Sequence, residues 1–339
     1  MKHLSRRRWA ALLAAAASAL VVLAASHAAG PADSIVFIKS HNVWLAKADG
    51  SGQVRLTRDG TAASPYYSPT QADNGTIVAL RGPDGRAVVA TFRGGGSNVY
   101  RLSPGGKRLG SPRIALFEPL AALVPRALAA EVSPNGRTLA ISQLLYEVVN
   151  RSGGQRELKA VALNVVYTDV ASGKYKGKSE LVLQQLGSPS WIDNRRLLVF
   201  DQYSQVGAHV YVASVGRKPV PFYRDPARSD LVPDWNAYSL GGGELTRRGD
   251  KLALVRAKLG GGAPTIELFA TRGVSAPPAQ RCTLAGRDIS LEPGLSWSPD
   301  GRTLSWFEDS GIWSTPVRLD APGCGFAPRL VIRGGVSPD

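Results

Sequence analysis

Histidine, cysteine and methionine are scarce in this chain of 339 residues, which has four His, two Cys and one Met. His3 and His27 fall in the first thirty residues, so only His41 and His209 remain. Two histidines without a nearby carboxylate cluster are too little material for a His-based metal or hydrolytic site. The cysteines, Cys282 and Cys324, lack His or Cys neighbours, which excludes a zinc site. No G-x-S-x-G elbow is present, so a serine hydrolase of that design is excluded. The triple-glycine runs at 94–96, 241–243 and 260–262 lack the G-x-x-x-x-G-K-[ST] spacing of a phosphate loop and read as flexible inter-strand loops. No basic helix and no Lys/Arg cluster interleaved with aromatics occurs, which argues against nucleic acid as a partner. One long apolar run exists, Ala10 to Ala25, and its alanine-rich sequence is short and weakly hydrophobic for a permanent membrane span.

That run has a different reading. Lys2, Arg6, Arg7 and Arg8 form a basic n-region ahead of it, and Ser26-His27-Ala28 places small residues where a signal peptidase reads. Residues 1–28 are therefore expected to be an export signal, Sec-type or, from Ser5-Arg6-Arg7-Arg8-Trp9, twin-arginine. An uncleaved N-terminal anchor is the alternative. The protein is expected in the periplasm or outside the cell. There an even cysteine pair favours a Cys282–Cys324 disulfide. The chain carries a formal charge of +15, and +11 once those four basic residues are removed with no acidic one. Such a surface favours anionic partners such as cell-wall polymers.

The remainder, 34–339, repeats itself. Residues 131–142 read EVSPNGRTLAIS and residues 295–307 read LSWSPDGRTLSWF. Looser relatives begin at 64 (SPYYSPTQADNGTIVAL), 188 (SPSWIDNRRLLVF) and 243 (GELTRRGDKLALV). Each unit adds short β-branched or aromatic runs such as SIVFIK, NVWLA, HVYVA and TIELFA, separated by turns such as ADGSG. Three or four strands of five to six residues per unit make a propeller blade. The blade turns are assigned to Pro69, Pro134, Asn135, Gly136, Pro299, Asp300 and Gly301, where proline fixes φ and Asn, Asp or Gly makes the reversal. Residues 116–130 read as a short helix or ordered loop. The final Ser337-Pro338-Asp339 supplies the opening that the first unit lacks, so the C-terminal strand should pair into the first blade. The expected fold is all-β: a single six-bladed propeller closed in this way, with seven blades as the alternative.

Trp297-Ser298-Pro299-Asp300-Gly301, with the hairpin Asp49-Gly50-Ser51-Gly52 and its following Arg55-Leu56-Thr57, resembles the repeat of TolB-like β-propellers. The resemblance covers Ser34 to Asp339, is degenerate around Trp191-Ile192-Asp193-Asn194, and leaves no room for the separate N-terminal domain of TolB. It implies the fold more firmly than a function.

From the residues alone, a non-catalytic binding protein of the cell envelope is expected, holding a protein, peptidoglycan or polysaccharide at one mouth of the ring, as a monomer without a cofactor or metal. Its ligand-facing rim is assigned to Tyr66, Tyr67, Trp235, Tyr238, Arg224 and Arg228. The alternative is a metal-dependent propeller hydrolase of lactonase type. For that chemistry the candidate oxygen ligands near blade starts are Glu131, Asp193, Asp234, Asn236, Glu244 and Glu292.

Overall fold

The computed structural model describes residues 34–82, 98–102, 123–150, 156–170, 183–184, 186–201, 209–224, 238–258, 262–289 and 294–339. The described residues form six antiparallel sheets. The first holds β1 (Ser34–Lys39), β2 (Asn42–Lys47) and β3 (Val54–Arg55), and the second β4 (Tyr66–Gln71), β5 (Ile77–Arg81) and β6 (Asn98–Leu102). The third runs β7 (Leu123–Val132), β8 (Thr138–Asn150), β9 (Arg156–Asp169) and β10 (Leu183–Gln184). The fourth is β11 (Leu186–Trp191), β12 (Arg196–Asp201), β13 (His209–Ser214) and β14 (Arg217–Arg224). The fifth is β15 (Tyr238–Leu245), β16 (Lys251–Lys258), β17 (Thr265–Ala270) and β18 (Ala279–Leu284). The last is β19 (Ser296–Trp297), β20 (Thr303–Glu308), β21 (Gly311–Pro316) and β22 (Arg329–Arg333).

Each sheet buries both faces against its neighbours, which is why middle strands such as β5 (IVALR) and β20 (TLSWFE) are almost continuously buried rather than alternating. Six apolar clusters join consecutive sheets, and one of them carries Ile35 and Phe37 of the first sheet against Phe307, Ile312 and Ile332 of the last. The stack therefore closes into a propeller. Val336 bridges Ile38, and Val36 and Asp339 exchange backbone hydrogen bonds of 2.9 and 3.0 Å. The C-terminal segment thus supplies the fourth strand of the first blade, as its sequence implies. Five of the six sheets are then four-stranded, and β4–β6 is three-stranded among the described residues. No seventh sheet occurs there.

Two expectations fall at this level. Residues 123–130 belong to β7, not to a helix; β7 lies at the edge of its sheet, where the missing N–H of Pro125 leaves no central ladder position unmet. Gly241, Gly242 and Gly243 lie inside β15 instead of forming a loop. A Cβ at Gly243 would meet the Ala253 carbonyl oxygen at 2.4 Å and a Leu254 methyl at 2.5 Å, so close strand packing demands glycine there.

The assigned turns divide. Ser133-Pro134-Asn135-Gly136 and Ser298-Pro299-Asp300-Gly301 are equivalent corners. The Ser133 and Ser298 hydroxyls donate to Asn135 Oδ1 (2.9 Å) and Asp300 Oδ1 (2.6 Å) and accept from the N–H of Thr138 and Thr303. Gly136 and Gly301 take φ of 70° and 67°, which favours glycine. Pro69 is no corner: it sits inside β4 at a register shift between Tyr67 and Thr70, beside Ser68 at a φ of 44°. Ser337 before Pro338 repeats that geometry with φ 49°. Ser-Pro therefore marks a β-bulge in these strands and a hairpin corner in the other two places.

Candidate active site in the central channel

The innermost strand of each blade carries a register shift in β4, β7, β11 and β15, just ahead of the residue that reaches the channel. Matching these strands places Asp339, Thr70, Glu131, Ser190, Glu244 and Ser296 at one level, so acids alternate with hydroxyls around the ring. Each acid is tied to the next blade in the same way. Trp191 N–H donates to Glu131 Oε1 at 2.7 Å while its indole N–H donates to the Glu131 carbonyl at 2.8 Å. Trp297 repeats both bonds to Glu244, at 2.7 and 3.0 Å. Gln71 N–H donates to Asp339 Oδ2 in the third pair.

These carboxyls keep a partly accessible surface toward the channel, yet they lie deep in the ring with little water around them. Burial accordingly raises the Glu244 carboxyl from 4.5 to about 8, against the pull of Arg247 and with the added repulsion of Asp339. Burial, and then the charges of Asp339 and Glu244, push Glu131 well above its usual value. Asp339 is raised as well, again chiefly by burial. The guanidinium of Arg247 crosses beneath them: it donates to the Trp191 carbonyl at 2.6 Å and approaches Asp73 Oδ1 to 3.4 Å. A cavity of about 320 Å³ opens on that side, with Glu244, Asp339, Arg247, Asp73 and Trp297 in its wall. On the other side a smaller space of about 80 Å³ is lined by Glu131, Ser190, Glu244 and Asp339.

Of the sequence candidates, Glu131 and Glu244 come together, whereas Asp193 caps a turn through Arg195 N–H, Arg196 N–H and the Arg196 guanidinium, all at 2.8 Å. Asp234, Asn236 and Glu292 lie outside the described residues, as do Trp235, Arg228 and residues 1–28. Tyr66 leaves the rim: only 1% exposed, it packs between the first two sheets and its hydroxyl donates to Asp59 at 2.9 Å. Tyr67, pointing the opposite way along the strand, is half-buried and donates to the Ala127 carbonyl at 3.0 Å. Arg224 is exposed at the end of β14, opposite His209, and Tyr238 opens β15. Cys282 and Cys324 form the disulfide. Sequence reasoning missed Asp339, Arg247, Asp73 and Ser190. The one signal for Asp339 was its place after Ser-Pro, in the same position as Thr70 and Ser190.

No protein-family model matches the chain, and no curated protein matches it in sequence. Among solved structures it is similar to an oligogalacturonate lyase in complex with manganese, at 12% identity and a TM-score of 0.50 over 86% of this chain and 70% of that one. It is similar to a luciferin-regenerating enzyme at 11% identity and a TM-score of 0.50, over 91% and 88% of the two chains. A match to prolyl endopeptidases has 13% identity and a TM-score of 0.47; it covers 78% of this chain, which spans 34% of that one. At these identities the likeness establishes the propeller fold. It also overturns the expectation of a chain without catalytic residues: propellers of this shape include enzymes, and the channel here gathers carboxyls that the sequence leaves scattered.

Proposed function

We propose that the chain is a propeller hydrolase acting on a small ester or lactone in the cavity of about 320 Å³, a volume suited to a ligand of that size. The observation that carries this reading is the Glu244 carboxyl and the Arg247 guanidinium set together in one cavity wall, where burial raises the carboxyl to about 8. A proton-bearing acid next to a fixed cation is the arrangement that breaks a C–O bond. Arg247 stabilises the oxyanion as water adds to the carbonyl, and Asp73, at the rim beside Arg247, takes the water's proton. The C–O bond then breaks as Glu244 gives its proton to the leaving oxygen. Burial keeps Glu244 protonated, and Asp339 reinforces this when it is ionised.

A cation-dependent version needs several oxygens converging on one ion. Among the described residues no three acidic, His or Cys side chains come together in that way. Each channel carboxyl is instead held to its own neighbouring blade by a backbone N–H. The residues present do not make a metal cage, and no step is routed through a metal.

The recurrent Ser-Pro-Asn/Asp-Gly corner supports a place among TolB-like propellers. The disulfide supports an oxidising, exported location, and among the described residues no helix is long and apolar enough to cross a membrane. The basic surface supports retention on an anionic envelope polymer. The activity is tested with a panel of aldonolactones and aryl esters followed by pH-stat. Wild type should hydrolyse at least one lactone or ester, E244Q should lose at least a hundredfold in kcat, and chelator should leave the rate unchanged. Equal turnover by E244Q and wild type would sink the proposal.

A further inference from the structure

The smaller space on the opposite side of the ring has its own chemistry. Glu131, Glu244 and Asp339 reach it from alternate blades, giving three carboxyls in a pseudo-threefold arrangement. Each accepts from the next blade's N–H; the Asp339 carboxyl also accepts from the Thr70 hydroxyl, while among the described residues Glu131 and Glu244 each keep a second oxygen for a ligand. Ser190 lines the same space between two of them. It is 6% exposed and its hydroxyl has no hydrogen-bond partner among the described residues, a state that costs free energy unless a ligand or water meets it. The charges are unbalanced: four carboxyls, counting Asp73, face the single guanidinium of Arg247.

We infer that this space binds a primary ammonium group, R–NH3+, with Glu131, Glu244 and Asp339 accepting its three N–H bonds and Ser190 as a further acceptor. An ammonium has three donors in threefold symmetry and no acceptor, which complements three carboxylates on alternate blades. Its N–H···O distances of about 2.7–2.9 Å span a wider ring than the roughly 2.0–2.6 Å of Mg²⁺ or Ca²⁺. That difference favours it here, since among the described residues no three acidic side chains converge as a metal ion requires. A space of about 80 Å³ takes the head of an amine and not a whole sugar or peptide. One bound ammonium offsets one carboxylate, so binding releases about one proton to solvent from the three carboxyls.

The test is a titration of the full chain with methylammonium at pH 7, followed by the backbone amide resonances of Trp191 and Trp297, which report on the Glu131 and Glu244 carboxylates. The expected result is a saturable shift of both, with a millimolar Kd of the order a two-heavy-atom ligand can reach. Tetramethylammonium, which has no N–H, should cause none. S190A should weaken binding about threefold to tenfold. E131Q, which still accepts from Trp191, should weaken it more than tenfold. Cadaverine binding more tightly than Nα-acetyl-lysinamide would identify a free amine as the source, and the reverse order a lysine side chain; either supports the ammonium site. No shift up to 100 mM (over roughly ten times the Kd scale expected), equal shifts with tetramethylammonium, or insensitivity to both substitutions would overturn it, leaving water as the partner of Ser190. So would micromolar Mn²⁺ binding with methylammonium silent. Glu244 and Asp339 line both spaces and Glu131 and Ser190 only the smaller one, so loss of methylammonium binding in E131Q and S190A with hydrolysis retained separates the two readings.

Discussion

Glu244 is raised because its carboxylate would be stranded in the ring with one nearby guanidinium and two further carboxyls, whereas its acid form needs no counter-charge. The same asymmetry links pH to stability. A group whose value is higher folded than unfolded contributes stability that is complete below the unfolded value, here 4.5, and is lost as pH rises through the folded one, here about 8. Between those limits Glu244 alone should cost up to about 1.4 kcal/mol per pH unit. Glu131 and Asp339, raised for the same reason, add to the slope. Urea unfolding across this window should show stability declining as pH increases. E244Q stays neutral and can still accept from Trp297 N–H, so it should flatten the decline by one group's share; identical slopes in the two proteins would contradict this account.

At the scale of the strand, β15 shows why glycine runs mislead. Three consecutive glycines have the composition of a linker, yet here they let an inner strand pass close to its neighbour while carrying Glu244 to the channel. G243A should lose about 1–3 kcal/mol in urea denaturation, because its methyl would overlap the Ala253 carbonyl and Leu254. No loss would show that β15 is looser than described. The strands themselves were legible: SIVFIK, NVWLA, HVYVA and TIELFA are β1, β2, β13 and β17. Their β-branched and aromatic runs between turn residues leave little choice. Ser-Pro was ambiguous for a physical reason. Proline lacks an N–H and fixes φ, which suits both a turn position and a bulge at the edge of a sheet, and only the partner strand decides between them.

For the whole molecule, ring closure and the disulfide act on the same quarter of the chain. Cys282 on β18 is tied to Cys324 beyond β21, so the bridge staples the fifth blade to the sixth, where closure onto β1 is made. A loop of 42 residues corresponds to about 4 kcal/mol in the chain-entropy account. The paired variant C282A/C324A should therefore unfold at clearly lower denaturant than wild type, and coincident curves would mean that the closed ring alone fixes these blades. The repeat and its closure were readable because each copy is local in sequence. The site was not, because it is assembled from one residue per blade: Glu131, Glu244 and Asp339 are more than ninety residues apart along the chain and meet only when the ring closes. Arg247 and Asp73 look like ordinary turn residues until the structure sets them on facing sides of the channel.

The most direct test is the pH profile of kcat for the best ester or lactone substrate. Hydrolysis by wild type should hold through neutrality and fall as pH rises past about 8, where Glu244 loses its proton. In E244Q, with the fold verified by its circular dichroism, that descending limb should vanish together with at least a hundredfold of the rate. A wild-type rate that continues to climb above pH 9, or an E244Q enzyme with the same profile and rate, would contradict the assignment of the channel as the active site.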